Sequence, residues 1–166
     1  MFGLLNKFRS DEKGIAVTEL ALVTPVFLLM FLSTIELGHM IYYSITVEKA
    51  LRSAVTYAGR MELHPAEVIT ATENIVRTGD PKGTDPYLVR GWEDPDANVI
   101  FGTHIYTQAL GGNKTFSETV VTVTADVPYV PIVGVLVPAL EFLMKSQFRS
   151  GKLFITLTHE QAIIGN

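Results

Sequence analysis

The chain has no cysteine, which excludes both a disulfide framework and a thiolate metal site. Histidine is scarce and scattered. His39, His64, His104 and His159 stand far apart with no His-x-x-x-His pair, so a zinc site has no local nucleus. Also missing are a Gly-x-Ser-x-Gly elbow, a P-loop and a dinucleotide-binding glycine fingerprint. We therefore expect no catalytic residues, no metal and no cofactor. Positive charge is not in surplus either. The net charge is -4, which removes the basic surface that a phosphate backbone requires and excludes nucleic acid as a partner. No internal repeat and no low-complexity tract interrupts the chain.

What the chain has instead is apolar surface. Hydrophobic residues make up 48 % of 166 positions, room for one domain plus an anchor. From Ile15 to Ile35 the sequence reads IAVTELALVTPVFLLMFLSTI, 21 residues with Glu19 as the one charge. At about 1.5 Å per residue such a helix spans about 30 Å, the thickness of a bilayer core. Lys7, Arg9 and Lys13 precede it, and no basic residue follows until Lys49. That asymmetry predicts a cytoplasmic N-terminus and a head on the far side. A cleaved secretory signal is the rival reading, but its apolar core is shorter and ends in a small-x-small site, which is absent here.

Glu19 sits about one turn into the apolar run. An ionised carboxylate at the centre of a bilayer helix costs about 2.5–3.5 kcal/mol, and less near an interface. Two readings stay open. Either Glu19 lies among the headgroups, or it has a cationic partner. Cutting the chain between Gly14 and Ile15 would create one, because Glu19 then becomes the fifth residue after a free amine. The amine of one subunit could neutralise Glu19 of its neighbour, and Gly14 suits a protease cleft because it can lie extended. Within the same run, Pro25 removes the N–H that would bond the Ala21 carbonyl, which predicts a modest kink.

A basic leader ending in Gly, then an apolar helix with Glu at its fifth position, resembles type IV pilin-like proteins. The closer resemblance is to TadE-like minor pilins (pseudopilins) of Flp/Tad pilus systems. It rests on Gly14, Ala16, Glu19, Ala21, Leu22, Val23 and Pro25, then Glu36-Leu37-Gly38, then the Ala-rich run Lys49 to Arg60. Thr18 departs from the pattern, where an apolar residue is commoner before the Glu. The resemblance covers residues 12–60. It implies cleavage by a prepilin peptidase between Gly14 and Ile15, and a role for Glu19 in assembly. It also implies residence in the bacterial inner membrane before assembly and a part in building or priming a pilus used for adhesion, and it leaves three destinations open: the filament, its tip or the membrane. The implied partners are the peptidase, other pilin or pseudopilin subunits, the inner-membrane assembly machinery and the lipid itself. Cleavage would remove Lys7, Arg9, Lys13, Asp11 and Glu12, moving the net charge from -4 to -5.

The expected organisation is a cytoplasmic leader over 1–14, a transmembrane helix over 15–38 and an extracytoplasmic pilin-like head over 39–166. The expected fold class is α+β: a long N-terminal helix running into a head with a second helix and a three- to four-stranded antiparallel sheet. Tyr43, Val47, Ala50, Leu51, Ala54 and Ala58 recur at helical spacing, so the helix should continue to Arg60 and pack by that stripe. Glu48 and Arg52 are placed for an i,i+4 pair. His64-Pro65 should open the second helix, with Val68, Ile69, Thr72, Ile75 and Val76 on one face and Gly79 at its end. Asp80 to Asn98 reads as a loop in which Trp92 plugs the core edge. Strands are expected over Val99–Thr107, Thr119–Val127 and Lys152–Ile163, the first two joined through Gly111-Gly112-Asn113. Val127 to Leu140 is apolar but carries Pro128, Pro131 and Pro138, which argues against a second span and for a loop. That loop either touches a membrane surface or partner, or folds over the core.

The alternative to a processed pilin-like subunit is an unprocessed single-pass envelope protein whose head is a binding module. An anchored enzyme ranks last.

Overall fold

A computed structural model of the chain describes residues 12–61, 66–111 and 114–163. Its first element, α1, runs unbroken from Glu12 to Arg60, 49 residues. It begins three residues before Ile15, because Gly14 in a first turn weakens a helix without stopping it. Hydrogen bonding continues on both sides of Pro25. Three hydroxyls bond back one turn: Thr24 Oγ1 donates to the Leu20 carbonyl at 2.6 Å, Ser33 Oγ to Leu29 at 2.7 Å and Thr34 Oγ1 to Met30 at 2.9 Å. These donors therefore need no water, as a helix in lipid requires.

The chain divides into two compact units, with the boundary between Gly38 and His39. In the first, the α1 surface is almost wholly exposed, with Leu22 at 79 % and Leu20 and Phe27 at 67 %. In the second, α1 buries a stripe of Tyr43, Val47, Ala50, Leu51, Ala54, Val55 and Ala58. The predicted stripe is thus the core, extended by Val55. Glu48 and Arg52 pair at 2.9 Å on its outer face.

Opposite that stripe lies a four-stranded antiparallel sheet in the order β1-β2-β4-β3: β1 Asn98–Gly111, β2 Lys114–Pro128, β3 Phe148–Arg149 and β4 Lys152–Ala162. Val121, Val123, Ala125 and Val127 of β2 face the core with no exposed surface. Full burial of one such side chain is worth about 1.5–3 kcal/mol, so this row and the α1 stripe hold the head together. The second helix, α2, covers Ala66–Thr78 and buries Val68, Thr72, Ile75 and Val76. Gly79 ends it at φ +84°, donating its N–H to the Ile75 carbonyl at 2.9 Å. The predicted opening at His64-Pro65 lies outside the described residues. The layout is the expected α+β fold.

Four details differ from the sequence expectations. β1 and β2 pair as far as Gly111 and Lys114, beyond Thr107 and Thr119, because this outer ribbon is exposed on both faces and carries no alternation to read. Residues 112 and 113 of the connection lie outside the described residues. The two-residue β3 is too short to signal itself. In the loop from Asp80, a 3₁₀ turn over Arg90–Glu93 seats Trp92 at 2 % exposure, well inside the core rather than at its edge. Finally, the apolar segment expected to be a loop is partly helical: a 3₁₀ turn at Gly134–Leu136 leads into α3, Val137–Leu143. Proline is costly inside a helix but not in its first turn, where Pro138 sits.

Candidate assembly interface

The residues singled out in the sequence lie along one helix rather than around a pocket. Gly14 is exposed in the first turn of α1, and the backbone of Ile15 follows it in the same turn. The Gly14–Ile15 bond is therefore helical, and glycine weakens that turn by about 1 kcal/mol relative to alanine. Glu19 is exposed on the apolar surface, with no ion-pair partner among the described residues. Pro25 is exposed two turns further on. Glu36, by contrast, is only 1 % exposed, a burial that nothing in the local pattern announced. A side-chain carbon added at Gly38 would meet no atom within 4 Å.

A second arrangement, invisible in the sequence, begins at His39. Its Nδ1 lies 2.8 Å from the Tyr129 hydroxyl. Tyr43 joins them, its ring 5.3 Å from Tyr129 in an edge-on contact. The Tyr43 hydroxyl accepts the Gly91 N–H at 3.0 Å and donates to the Pro128 carbonyl at 2.7 Å. Burial pushes the Tyr43 hydroxyl up to about 12, against the Gly91 N–H, which favours the phenolate. The proton thus stays in place for Pro128 at any physiological pH. A side chain at Gly91 would fall on the Pro128 carbonyl oxygen and the Tyr43 hydroxyl. Only glycine lets the loop backbone come this close. The sequence partners are 48, 85 and 90 positions apart, so no spacing could reveal them.

Charges pin the rim of the head. Lys152 Nζ bridges Asp94 and Asp96, each at 2.8 Å, tying the 3₁₀ loop to the start of β4. The ammonium, with the Asp96 N–H, holds the Asp94 carboxyl below its ordinary range. Burial works against ionised Asp126. The Arg149 guanidinium, at 2.6 Å, and the Thr156 hydroxyl, also at 2.6 Å, outweigh it and hold that carboxyl down. Trp92 Nε1 has no hydrogen-bond partner among the described residues, although the Arg77 guanidinium lies 5.4 Å from the ring centre. Nowhere among the described residues do three or more His, Asp or Glu side chains gather to hold a metal ion.

The head thus consumes its polar groups internally, whereas the α1 surface before His39 presents apolar side chains and one carboxylate outward. Among the described residues α1 is the one helix long and apolar enough to cross a membrane. No curated protein and no solved structure matches the chain. One family does: residues 14–56, roughly a quarter of the sequence, match the family described as TadE-like protein. That stretch begins at Gly14 and takes in Glu19, Pro25, Glu36 and Gly38, so the long N-terminal helix is similar to that of TadE-like proteins.

Proposed function

We propose that this protein is a minor pilin-like (pseudopilin) subunit needed to assemble a Flp/Tad type IV pilus. A prepilin peptidase cuts it between Gly14 and Ile15 in the inner membrane, with the leader cytoplasmic and the head periplasmic. The observation that carries this reading is Glu19, exposed on an apolar helix surface without an ion-pair partner among the described residues. In lipid such a carboxylate is costly unless neutralised. Cleavage supplies the missing cation at a distance of four residues, and in a packed bundle the amine of one subunit meets Glu19 of the next. The TadE-like match over residues 14–56 supports the pilin-like class of the helix. Loss of the basic leader also removes the charges that hold the N-terminus on the cytoplasmic side, so the helix is free to leave the bilayer for a filament. Its partners on this reading are the peptidase, other pilin or pseudopilin subunits and the membrane assembly machinery. No catalysis is assigned to the head.

Intact-mass measurement of the protein from its native membrane tests the reading. A mature chain starting at Ile15 is expected. Retention of Met1 in functional protein would replace it with the unprocessed envelope protein whose head is a binding module. Glu19→Ala separates insertion from assembly: the variant should fractionate with the membrane as before while piliation is lost.

A further inference from the structure

The segment between β2 and β3 exposes large apolar side chains. Phe142 is 85 % exposed, Leu143 75 % and Ile132 62 %, and α3 has no buried residue at all. Three large apolar side chains stand exposed within a dozen residues, the kind of surface that marks a contact with lipid or a partner when it is contiguous. Where this segment starts says what covers it. Tyr129, from which it departs, is bonded to His39, the first residue after Gly38, where the predicted span ends. The segment then folds back beside its own root. Val137 and Leu140 of α3 line a cavity of about 150 Å3 together with Tyr129 and Pro131. Phe142 and Leu143 come two and three residues after Leu140. Tyr42, next to the cluster of His39, Tyr43 and Tyr129 and 67 % exposed, is of the residue type that membrane proteins place at headgroup level.

We propose that α3 and its approach are a membrane-surface contact: Ile132, Phe142 and Leu143 dip into the leaflet on the head's side of the bilayer that α1 crosses. The depth expected for such a contact is about 5–10 Å, the headgroup and upper acyl region. Glu141 and Lys145, both exposed, nearly cancel in charge, so the contact depends on apolar insertion and not on anionic lipid. Its consequence is mechanical. The head is held at the bilayer by two points, α1 and α3, until extraction of the subunit pulls α3 out of the lipid. The proposal rests on α1 crossing the membrane, whichever way the chain is oriented.

Because the chain has no cysteine, single-cysteine variants carry a spin label at one chosen place. The full-length protein is reconstituted into nanodiscs of zwitterionic phosphatidylcholine with labels at Phe142→Cys, Leu143→Cys or Ile132→Cys. Two reference labels accompany them, Phe31→Cys on α1 and Thr107→Cys on the exposed ribbon of β1. Relaxation by oxygen, which concentrates in lipid, is compared with relaxation by a water-soluble nickel chelate. The expected result is that labels at 142, 143 and 132 favour oxygen, as Phe31→Cys does, and that Thr107→Cys favours nickel. Labels at 142, 143 and 132 that favour nickel while Phe31→Cys favours oxygen would overturn the contact and leave the span intact. Labels shielded from both reagents would overturn it in favour of protein covering the patch. Nickel accessibility at Phe31→Cys would sink the span and this proposal with it. All five labelled positions are exposed, so labelling leaves the core untouched.

Discussion

The residues before and after the Gly38–His39 boundary use one continuous helix in opposite ways. Before it, α1 turns Leu20, Leu22, Phe27, Met30 and Phe31 outward and buries almost nothing. After it, the same helix buries seven residues between Tyr43 and Ala58 at 6 % exposure or less. Both stretches are rich in apolar side chains, so composition does not separate them; what differs is whether the chain itself supplies the partner surface. Along that stripe the head supplies its own partner surface. The first stretch leaves its apolar surface for lipid or for other helices. Mutations should therefore divide cleanly: those after the boundary cost folding stability, and those before it cost insertion or assembly while the head stays folded.

The largest stability effect is expected at Gly91. Gly91→Ala places a carbon on a backbone carbonyl and on the Tyr43 hydroxyl, and the backbone cannot step aside without breaking both Tyr43 hydrogen bonds. Overpacking of 1–3 kcal/mol combined with those losses predicts about 3 kcal/mol or more, read as a lowered unfolding midpoint of the full-length protein in nanodiscs. Unchanged stability would mean the loop does not approach as closely as described. Tyr43→Phe keeps the ring but removes the hydroxyl. It leaves a buried N–H and a buried carbonyl unpaired, for an expected loss of about 1–3 kcal/mol. If Tyr43→Phe cost as much as Gly91→Ala, the steric account of Gly91 would be wrong.

A smaller effect concerns charge. The folded-state pKa of Asp126 lies below its ordinary value, so its contribution to stability is fully present above the unfolded carboxylate pKa and is lost as pH falls through the depressed folded value. Asp126→Asn should cost about 0.2–1 kcal/mol at neutral pH, since Arg149 is largely exposed to solvent. It should also flatten the loss of stability on acidification below the ordinary aspartate range. Denaturant titrations of both proteins at several pH values read the difference, and parallel curves would remove Asp126 from the acid response.

How far the sequence could be read follows from the same contrast. Periodicity reports on surfaces that face one way. The α1 stripe and the β2 row of Val121, Val123, Ala125 and Val127 were legible because each separates a buried from an exposed side. The outer ribbon of β1 and β2 was not, because both of its faces meet solvent. Three prolines hid α3, since a residue that stops a helix in its interior is permitted at its start, where Pro138 lies. The candidate processing site was legible because Gly14 and Glu19 are near neighbours in one helix. The His39, Tyr43, Gly91 and Tyr129 cluster was not, because only tertiary folding joins it. The burial of Glu36 escaped for a related reason: a lone acid in an apolar flank reads as an interfacial charge.

Gly38 offers the finest division of the two regions, because its expected effect on the isolated molecule is the smallest. Nothing among the described residues approaches the place where its side chain would be, and its backbone lies within a helix. Gly38→Ala therefore removes a helix-weakening residue without a clash. It should stabilise α1 by about 0.5–1 kcal/mol and leave the unfolding of the head unchanged. Gly38 lies at the end of the predicted span, where helix packing between subunits would use a residue without a side chain. If another helix packs across α1 at this point during assembly, the added methyl would obstruct it, and piliation would fall although insertion, processing and folding are normal. Should the alanine variant prove more stable and fully piliated, close approach at Gly38 is not used, and packing between subunits must be sought nearer Glu19.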